Sequence, residues 1–428
     1  MPALEREPGL SAGTSLSLNR IARSAMSLSV GSALAQALMA AAFLLMSRHL
    51  GATKQGEFTS SFAAVGLTAI LFNWGLDTWL LRSGSADRES IGTHLGNAMA
   101  IKAGLGVPWL AAVCLLLPAL WPRVFSVRLV LVSGIAVWFE GLFNLLLVVY
   151  KATLRNSVSA ALLVASRGGI LLATLALIAA GIGEPIAYAW VRLAVQAALV
   201  LGVVLRLPLT PRPGPWHDAL DTWKGAGPYA ISDLFTAVYV QADTTIAAVV
   251  LGQTAVGVYA PAAAMVNALF VIPSALFFVV VPVLTRMLRE RSAAVGRALV
   301  VVVIVFAAVG AVLAIATRLS AEALPRYILG ESFAESGRLL AILSPIVLLK
   351  SLSFAFAAIL VAAARQGQRV YVQGLSAIAN FALNAVLARR FGISGVAAIY
   401  VITETVLMLG YAALVVRWRR VPDRLEVY

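Results

Sequence analysis

The sequence predicts an all-α polytopic membrane protein in which about twelve transmembrane helices form two lobes of six around a central cavity. Three observations lead to this prediction: the composition, the spacing of the apolar stretches and an internal repeat. Of the 428 residues, 61% are hydrophobic and 12% are charged, and the mean hydropathy is +0.91. Soluble domains are typically about 45–50% apolar and about 25% charged, so the composition excludes an ordinary soluble protein.

The apolar stretches have the length of membrane-spanning helices, which need about 20 residues to cross the hydrocarbon core. Arg20 and Arg23 precede the first one, whose apolar run exceeds the roughly 7–15 residues of a cleaved signal peptide. We therefore expect a retained signal anchor. The predicted spans are 24–46, 59–81, 98–120, 129–150, 160–181, 185–205, 228–250, 257–284, 298–317, 339–362, 371–388 and 393–416.

A proline-rich segment divides these spans into two sets of six. The segment RLPLTPRPGPWHDALDTWKGAG contains prolines 208, 211, 213 and 215, a composition that favours an extended, semi-rigid connection. The stretch from Trp216 to Lys224 is expected to form a short helix on the membrane surface. The predicted parts are an N-terminal tail (1–20), an N-terminal lobe (21–205), a linker (206–227), a C-terminal lobe (228–416) and a basic tail (417–428).

The basic residues predict the orientation. With the N-terminus inside, the inner loops and tails carry about twice as many Lys and Arg as the outer loops, which places both termini in the cytoplasm. The same bias explains the formal net charge of +14, so nucleic acid is not an expected partner. The single cysteine, Cys114, excludes an intrachain disulfide.

An internal repeat supports two lobes of equal orientation. LGATKQGEF at 50–58 aligns with LGQTAVGVY at 251–259, at a constant offset of 201 residues. The second glycine of each copy is expected to let a helix begin tightly after a turn. Both copies fall in outer loops, which predicts parallel repeats related by an axis along the membrane normal. Two such lobes enclose the cleft that alternating access requires.

Several stretches resemble a known transporter family. They are SRHLGATKQGEFTSSF and FNWGLDTWLLR in the first half, and QADTTIAAVVLGQTAVGVYAPAAAM, ILGESFAESGRLLAIL, NFALN and FGISGVAAIYVITE in the second. They resemble the polysaccharide flippases (O-antigen and exopolysaccharide, Wzx type) of the multidrug/oligosaccharidyl-lipid/polysaccharide (MOP) exporter superfamily. The resemblance covers essentially the whole chain and implies a MATE/MOP-like fold. Arg389-Arg390 departs from the family, which often has a proline there.

Polar side chains inside the spans are the candidate functional residues. Such residues usually face a bundle interior or a wet cavity, because they are costly in lipid. Thr236, Tyr239 and Asp243 share one stripe of a helix, and small or amide side chains can simply hold helices together. The candidates for the substrate cavity are Arg167, Arg192, Lys350, Gln36, Asn73, Glu140, Tyr239, Gln373, Asn380 and Asn384. The candidates for coupling or gating are Asp243, Asp77 and Glu404.

The cations suggest the ligand. Guanidinium groups bind phosphate oxygens through paired hydrogen bonds, and Arg167, Arg192 and Lys350 would make the cavity basic. A structural ion pair between Glu140 and Arg192 is the alternative. The resemblance implies a polyprenyl-diphosphate-linked oligosaccharide as the substrate, a bacterial inner-membrane location and a polysaccharide polymerase as a possible partner. Asp243 would either pair with a cation between substrate loads or bind the H⁺ or Na⁺ that couples transport.

Enzymatic activity is not expected. The sequence contains no G-x-x-x-x-G-K-[ST] loop and no histidine pair at zinc-binding spacing, so neither a metal nor another cofactor is predicted. The longest predicted outer loop, 318–337, is too short for a catalytic domain. The remaining alternatives are an ion-coupled multidrug exporter of the same superfamily and, less favoured, a polysaccharide polymerase or ligase.

Overall fold

The computed structural model describes residues 11–87, 89–207, 209–290 and 292–420, with side chains from Ser27 onward. The ends of the predicted tails (1–10 and 421–428) lie outside these ranges. Within the described residues the secondary structure is helical, and ten segments are long and apolar enough to cross a membrane. The helices are α1 (Ser11–Thr68), α2 (Ile70–Asn73), α3 (Leu76–Ala86), α4 (Ile91–Leu120), α5 (Val127–Ala152), α6 (Asn156–Ala179), α7 (Pro185–Leu205), α8 (Trp216–Leu251), α9 (Gln253–Leu269), α10 (Val271–Arg289), α11 (Val295–Ser320), α12 (Ala323–Leu329), α13 (Ala334–Leu343), α14 (Pro345–Ala362) and α15 (Gln366–Arg419).

Two of these helices each contain two membrane passes. Helix α1 has 58 residues and α15 has 54; straight helices of that length would be about 80–90 Å long, far more than the roughly 30 Å hydrocarbon core. Each is broken at a glycine with positive φ, Gly51 (73°) and Gly392 (62°). Counting both halves gives twelve passes, so the predicted all-α, twelve-pass fold is confirmed.

The linker is shorter than predicted. The surface helix predicted from Trp216 to Lys224 is instead the beginning of α8, which continues into the seventh pass. The extended segment before it lies on α4. There the Arg212 amide donates to the Gly92 carbonyl at 3.3 Å, and the Gly214 amide donates to Asn97 Oδ1 at 2.8 Å.

The two copies of the sequence repeat contact each other at the end of the bundle predicted to be outside. Thr53 Oγ1 lies 3.3 Å from Thr254 Oγ1. A Cβ added to Gly56 would lie 1.8 Å from the Gln253 carbonyl oxygen, and one added to Gly257 would lie 1.7 Å from that of Ala52. These contacts are reciprocal under the 201-residue offset, as expected of a pseudo-twofold axis. We name this contact of Thr53, Gly56, Thr254 and Gly257 the outer crossing.

The roles of the repeat glycines differ from the expectation. Gly51 and Gly252, the first glycines, have φ of 73° and 91° and make the turns between passes. The second glycines, Gly56 and Gly257, instead remove side chains where the two backbones meet. The expectation that the second glycine lets a helix begin tightly after a turn is therefore wrong. Gly56 and Gly257 lie inside helices, and close packing of the two backbones requires them.

The lobes also meet near the opposite end of the bundle, through α8. The Trp74 and Trp223 rings stack with centroids 4.9 Å apart, and Trp74 Nε1 donates to the Trp223 carbonyl at 3.1 Å. Arg82 Nη1 donates to Tyr229 Oη at 2.9 Å. The first half of α8 therefore packs on the N-terminal lobe, while its second half contacts α9 and α15 of the C-terminal lobe.

Candidate functional site

Three helices of the N-terminal lobe bring together one carboxylate and two guanidinium groups. Glu140 of α5 accepts from Arg167 Nη2 of α6 at 2.8 Å and from Arg192 Nη2 of α7 at 2.9 Å, one arginine on each carboxylate oxygen. All three side chains are mostly buried, at 16–18% exposure. Two cations share one anion, so this N-lobe cluster carries a formal charge of +1.

Two members of the N-lobe cluster, Glu140 and Arg192, line a cavity between the lobes, and Arg167 lies behind them. The cavity has a volume of about 550 Å³. Its N-terminal wall includes Glu140, Arg192 and Asn73, and its C-terminal wall consists of Gln241 and Thr244 of α8 and Asn267 of α9. We call it the central cavity. It is within the size range of small-ligand sites, about 300–1,000 Å³.

Arg192 has hydrogen-bonding capacity to spare. Its Nε atom is buried without a hydrogen-bond partner within the described residues. Its guanidinium carbon lies 4.5 Å from the centroid of the Phe62 ring, which also lines the cavity. The ring holds the guanidinium plane in place by a cation–π contact, and the Nε donor has no acceptor among the described residues.

A second polar cluster, centred on a residue that the sequence analysis did not single out, adjoins the first. Lys102 of α4 is fully buried, and its Nζ donates to Asp77 Oδ1 at 2.7 Å, Asn73 Oδ1 at 2.8 Å and the Gly141 carbonyl at 2.9 Å. Trp74 and Gly75 have positive φ and interrupt the second pass between Asn73 and Asp77. This lysine cluster neutralises Asp77. Sequence reasoning missed Lys102 because it lies near the end of a predicted span, where a lysine is expected to reach water.

The C-terminal lobe contains a polar cluster of a different kind. Lys350 Nζ of α14 lies 3.0 Å from Glu404 Oε2 of α15 and 2.5 Å from Tyr239 Oη of α8. The Tyr239 hydroxyl also contacts Glu404, and Ser353 Oγ donates to Glu404 Oε1 at 3.0 Å. Glu404 is fully buried. In this C-lobe cluster one cation faces one anion, so the formal charge is zero.

Asp243 is held by neutral donors. Its Oδ2 accepts from Tyr259 Oη at 2.6 Å, and its Oδ1 accepts from the amide of Thr244 at 2.6 Å. The side chain is 8% exposed. Of the predicted stripe, Tyr239 and Asp243 face the interior of the C-terminal lobe, whereas Thr236 is exposed. Gln241 and Thr244 on the same helix face the central cavity.

The remaining amide candidates are not on the cavity wall. Asn380 and Asn384 are buried, where Asn380 Nδ2 donates to Thr403 Oγ1 at 3.1 Å and Asn384 Nδ2 donates to the Asn380 carbonyl at 3.0 Å. Gln373 Nε2 lies 3.5 Å from Thr236 Oγ1, and Gln36 is exposed on α1. Asn380 and Gln373 therefore connect passes of the C-terminal lobe, and Asn384 bonds within its own pass.

The predicted basic cavity therefore needs a correction. Arg167, Arg192 and Lys350 are each paired with a carboxylate, and Lys350 does not line the cavity. An isolated cation would be costly at this depth, which is why each has a partner. Next to the cavity, the N-lobe cluster carries one uncompensated positive charge.

Comparison with known proteins identifies the family. The profile of one family, described as polysaccharide biosynthesis protein, matches residues 45–338, more than half of the chain. The chain belongs to this family. The match includes the N-lobe cluster, the lysine cluster and Asp243, and ends before Lys350 and Glu404. Among curated proteins, none matches.

Solved structures show the same fold at low sequence identity. The chain is 14% identical to a multidrug resistance MATE family transporter of the MOP superfamily in an inward-facing conformation, with a TM-score of 0.72 over 90% of this chain and 96% of that one. It is 13% identical to the lipid II flippase MurJ in an inward closed conformation, with a TM-score of 0.67 over 91% of this chain and 87% of that one. A MOP superfamily transporter from Pyrococcus furiosus, whose binding pocket is described as having reverse polarity, gives a TM-score of 0.62 at 13% identity, over 94% of this chain and 95% of that one.

The fold and the family together define the class of the protein. It is a multi-pass membrane protein of a polysaccharide biosynthesis family, and its fold is that of solved MATE and MurJ structures.

Proposed function

We propose that this protein is a flippase that moves a polyprenyl-diphosphate-linked oligosaccharide from the cytoplasmic to the outer leaflet of a bacterial inner membrane. The N-lobe cluster carries the proposal. Two guanidinium groups share one carboxylate beside the inter-lobe cavity, and the excess charge of +1 favours an anionic ligand. A diphosphate matches the paired donors of arginine.

Other features of the cavity suit the rest of such a substrate. Gln241, Asn144 and Asn267 supply amide groups for sugar hydroxyls, while a prenyl chain stays in the lipid between the lobes. An organic cation is a poorer ligand for a site with excess positive charge, which makes the multidrug-exporter alternative the second choice. Family membership in polysaccharide biosynthesis supports the same choice.

The outer crossing supports transport by alternating access. The lobes are joined there by backbone contacts at the outer end, and the two halves are related by the repeat. With both termini in the cytoplasm, as the basic loops predict, the structure is closed on the outer side.

Transport by alternating access requires the outer crossing to open. A Thr53→Cys/Thr254→Cys pair in a Cys114→Ala background should therefore form a disulfide that stops transport until it is reduced. Full transport by the cross-linked protein would contradict alternating access at this contact.

Asp243 is the proposed coupling residue. A buried carboxylate with only neutral donors is stabilised by a proton or a bound cation, and Tyr259 and Thr244 supply the surrounding oxygens. The H⁺ or Na⁺ gradient is then the energy source.

The decisive experiment is to deplete the protein in its native cell and locate the lipid-linked oligosaccharide. We expect it to accumulate on the inner leaflet while surface polysaccharide is lost. Accumulation of single repeat units on the outer leaflet would instead assign a polymerase or ligase role. If neither pool changes, the multidrug-exporter alternative replaces the flippase.

A further inference from the structure

A groove at the inner end of the C-terminal lobe is separate from the central cavity. It has a volume of about 600 Å³ and lies between the first turns of α15 and its last turns, where passes eleven and twelve meet the predicted cytoplasmic surface. We call it the interfacial groove. Its lining and that of the central cavity have no residue in common, so the proposed transport site does not account for it.

The polar part of the groove is basic. Arg365 and Arg417 line it, and no carboxylate is among the described lining residues. Arg365 Nη1 donates to Gln368 Oε1, a neutral acceptor, at 3.3 Å. The arginines of the N-lobe cluster each face Glu140, whereas these two have no such partner in the lining. Their charges are therefore available to an anion.

The backbone adds further donors at the same place. Arg365 is the N-cap of α15, and no side chain caps the first turn of that helix. The amide groups of Gln366, Gly367 and Gln368 consequently lack helical partners. Uncapped first-turn amides and a nearby arginine form a suitable site for a phosphate group.

The rest of the groove is apolar and aromatic. Val372 and Leu414 form its wall, and Tyr371 and Trp418 flank it. Tyr371 is 77% exposed. Tyrosine and tryptophan are enriched where the hydrocarbon core meets the headgroups. A soluble anion would make no apolar contact with this surface, whereas the acyl chain of a lipid would pack along it.

We propose that the interfacial groove binds an anionic phospholipid of the surrounding leaflet. Its phosphate lies between Arg365, Arg417 and the first turn of α15, and its acyl chain lies on Val372 and Leu414. Basic sites between transmembrane helices commonly bind anionic headgroups in this way. The bound lipid joins the beginning of pass eleven to the end of pass twelve and so stabilises the C-terminal lobe.

The test uses the purified full-length protein, stripped of lipid, with phosphatidylglycerol or phosphatidylcholine added in mixed micelles. Phosphatidylglycerol is expected to raise the melting temperature, and phosphatidylcholine is not. Each arginine is expected to contribute about a fivefold preference, so the Arg365→Gln/Arg417→Gln variant should need about 25-fold more phosphatidylglycerol for half the effect. Arg389→Gln/Arg390→Gln, which removes two arginines at the opposite end of pass eleven, is the matched control and should behave as the parent protein.

Three results would overturn the proposal. The first is an unchanged response of the Arg365→Gln/Arg417→Gln variant. The second is loss of the response in Arg192→Gln, which would place the lipid in the central cavity. The third is displacement of phosphatidylglycerol by an equal concentration of a polyprenyl phosphate, which would make the groove an entry site for the transported lipid. If the double variant does not survive purification, native mass spectrometry of each single variant measures the retained phosphatidylglycerol, with about a fivefold loss expected for each.

Discussion

Each lobe contains a cluster of paired charges, and the two clusters differ in net charge. In the N-terminal lobe Glu140 is shared by Arg167 and Arg192 beside the central cavity. In the C-terminal lobe Glu404 is fully buried and is matched by Lys350, Tyr239 and Ser353. The first cluster has two cations for one carboxylate, and the second has one cation for one carboxylate. A buried charge therefore points to a ligand only when its neighbours leave it uncompensated.

The largest expected effect is on the stability of the C-terminal lobe. Lys350→Met leaves Glu404 buried without its cation, and breaking a buried pair costs about 3–5 kcal/mol. We expect a marked fall in melting temperature. The Lys350→Met/Glu404→Gln variant removes both charges and should regain most of the loss. If the single variant is as stable as the parent while transport is lost, the C-lobe cluster belongs to the substrate site after all.

The next largest effect is expected on transport, when the N-lobe cluster is changed. Arg192→Gln removes the excess charge, and a hydrogen bond to a charged group contributes about 1.5–3 kcal/mol, so we expect transport to fall about 10- to 100-fold. Arg167 still pairs with Glu140, and the melting temperature should change little. Export of lipid-linked oligosaccharide in cells is the measurement, and Arg389→Gln is the control. Arg192→Lys should recover only part of the activity because a lysine lacks the planar fork.

Undiminished export by Arg192→Gln would contradict the proposal that the N-lobe cluster binds an anionic substrate. A fall in melting temperature equal to that of Lys350→Met would show that the two clusters do not differ in kind.

A smaller effect is expected at the outer crossing, where the lobes meet. A Cβ at Gly56 would lie 1.8 Å from the Gln253 carbonyl oxygen, and overpacking of this kind costs about 1–3 kcal/mol. Gly56→Ala should favour the outward-open state. Thr59→Cys, on the wall of the central cavity, would then react at least about fivefold faster with a membrane-impermeant maleimide in a Cys114→Ala background. Gly202→Ala, where an added Cβ meets nothing within 4 Å, should leave the rate unchanged.

The smallest structural effect is expected at Asp243. Asn retains the shape of the side chain. Its carbonyl oxygen can accept from the Thr244 amide, and its amide group can donate to the Tyr259 hydroxyl, which then becomes the acceptor, so Asp243→Asn should change the stability by about 1 kcal/mol or less. Export should nevertheless lose its dependence on the H⁺ or Na⁺ gradient. Export that responds to both gradients as before would exclude Asp243 from coupling.

The fold was predictable from sequence to a greater extent than the site. Twelve passes follow from apolar length alone, and the offset of 201 residues between two short motifs indicated two lobes of equal orientation. Both signals can be read from short stretches of sequence without knowing how the helices pack. The sequence could not show that Gly56 and Gly257 meet the opposite backbone, because that depends on how the lobes pack.

The site was less predictable because pairing is a three-dimensional property. Arg167, Arg192 and Lys350 are alike in sequence, and only the structure shows that two of them share one carboxylate. Lys102 resembles an inner-loop lysine until the interrupted second pass places Asn73 and Asp77 around it. The stripe of Tyr239 and Asp243 was recognisable from helical spacing, but the direction in which it faces was not.

The outer crossing has a consequence for the speed of the transport cycle. At the crossing itself the two lobes touch through main-chain atoms, glycines and the small side chains of Thr53 and Thr254. Next to it, Gln253 Nε2 donates to the Val124 carbonyl at 2.6 Å, and Arg48 Nη1 donates to the Ile328 carbonyl at 3.3 Å. Opening this end must therefore break hydrogen bonds to main-chain carbonyls of both lobes and separate apolar side chains that the two lobes share in one cluster, so these contacts contribute to the activation barrier of each turnover.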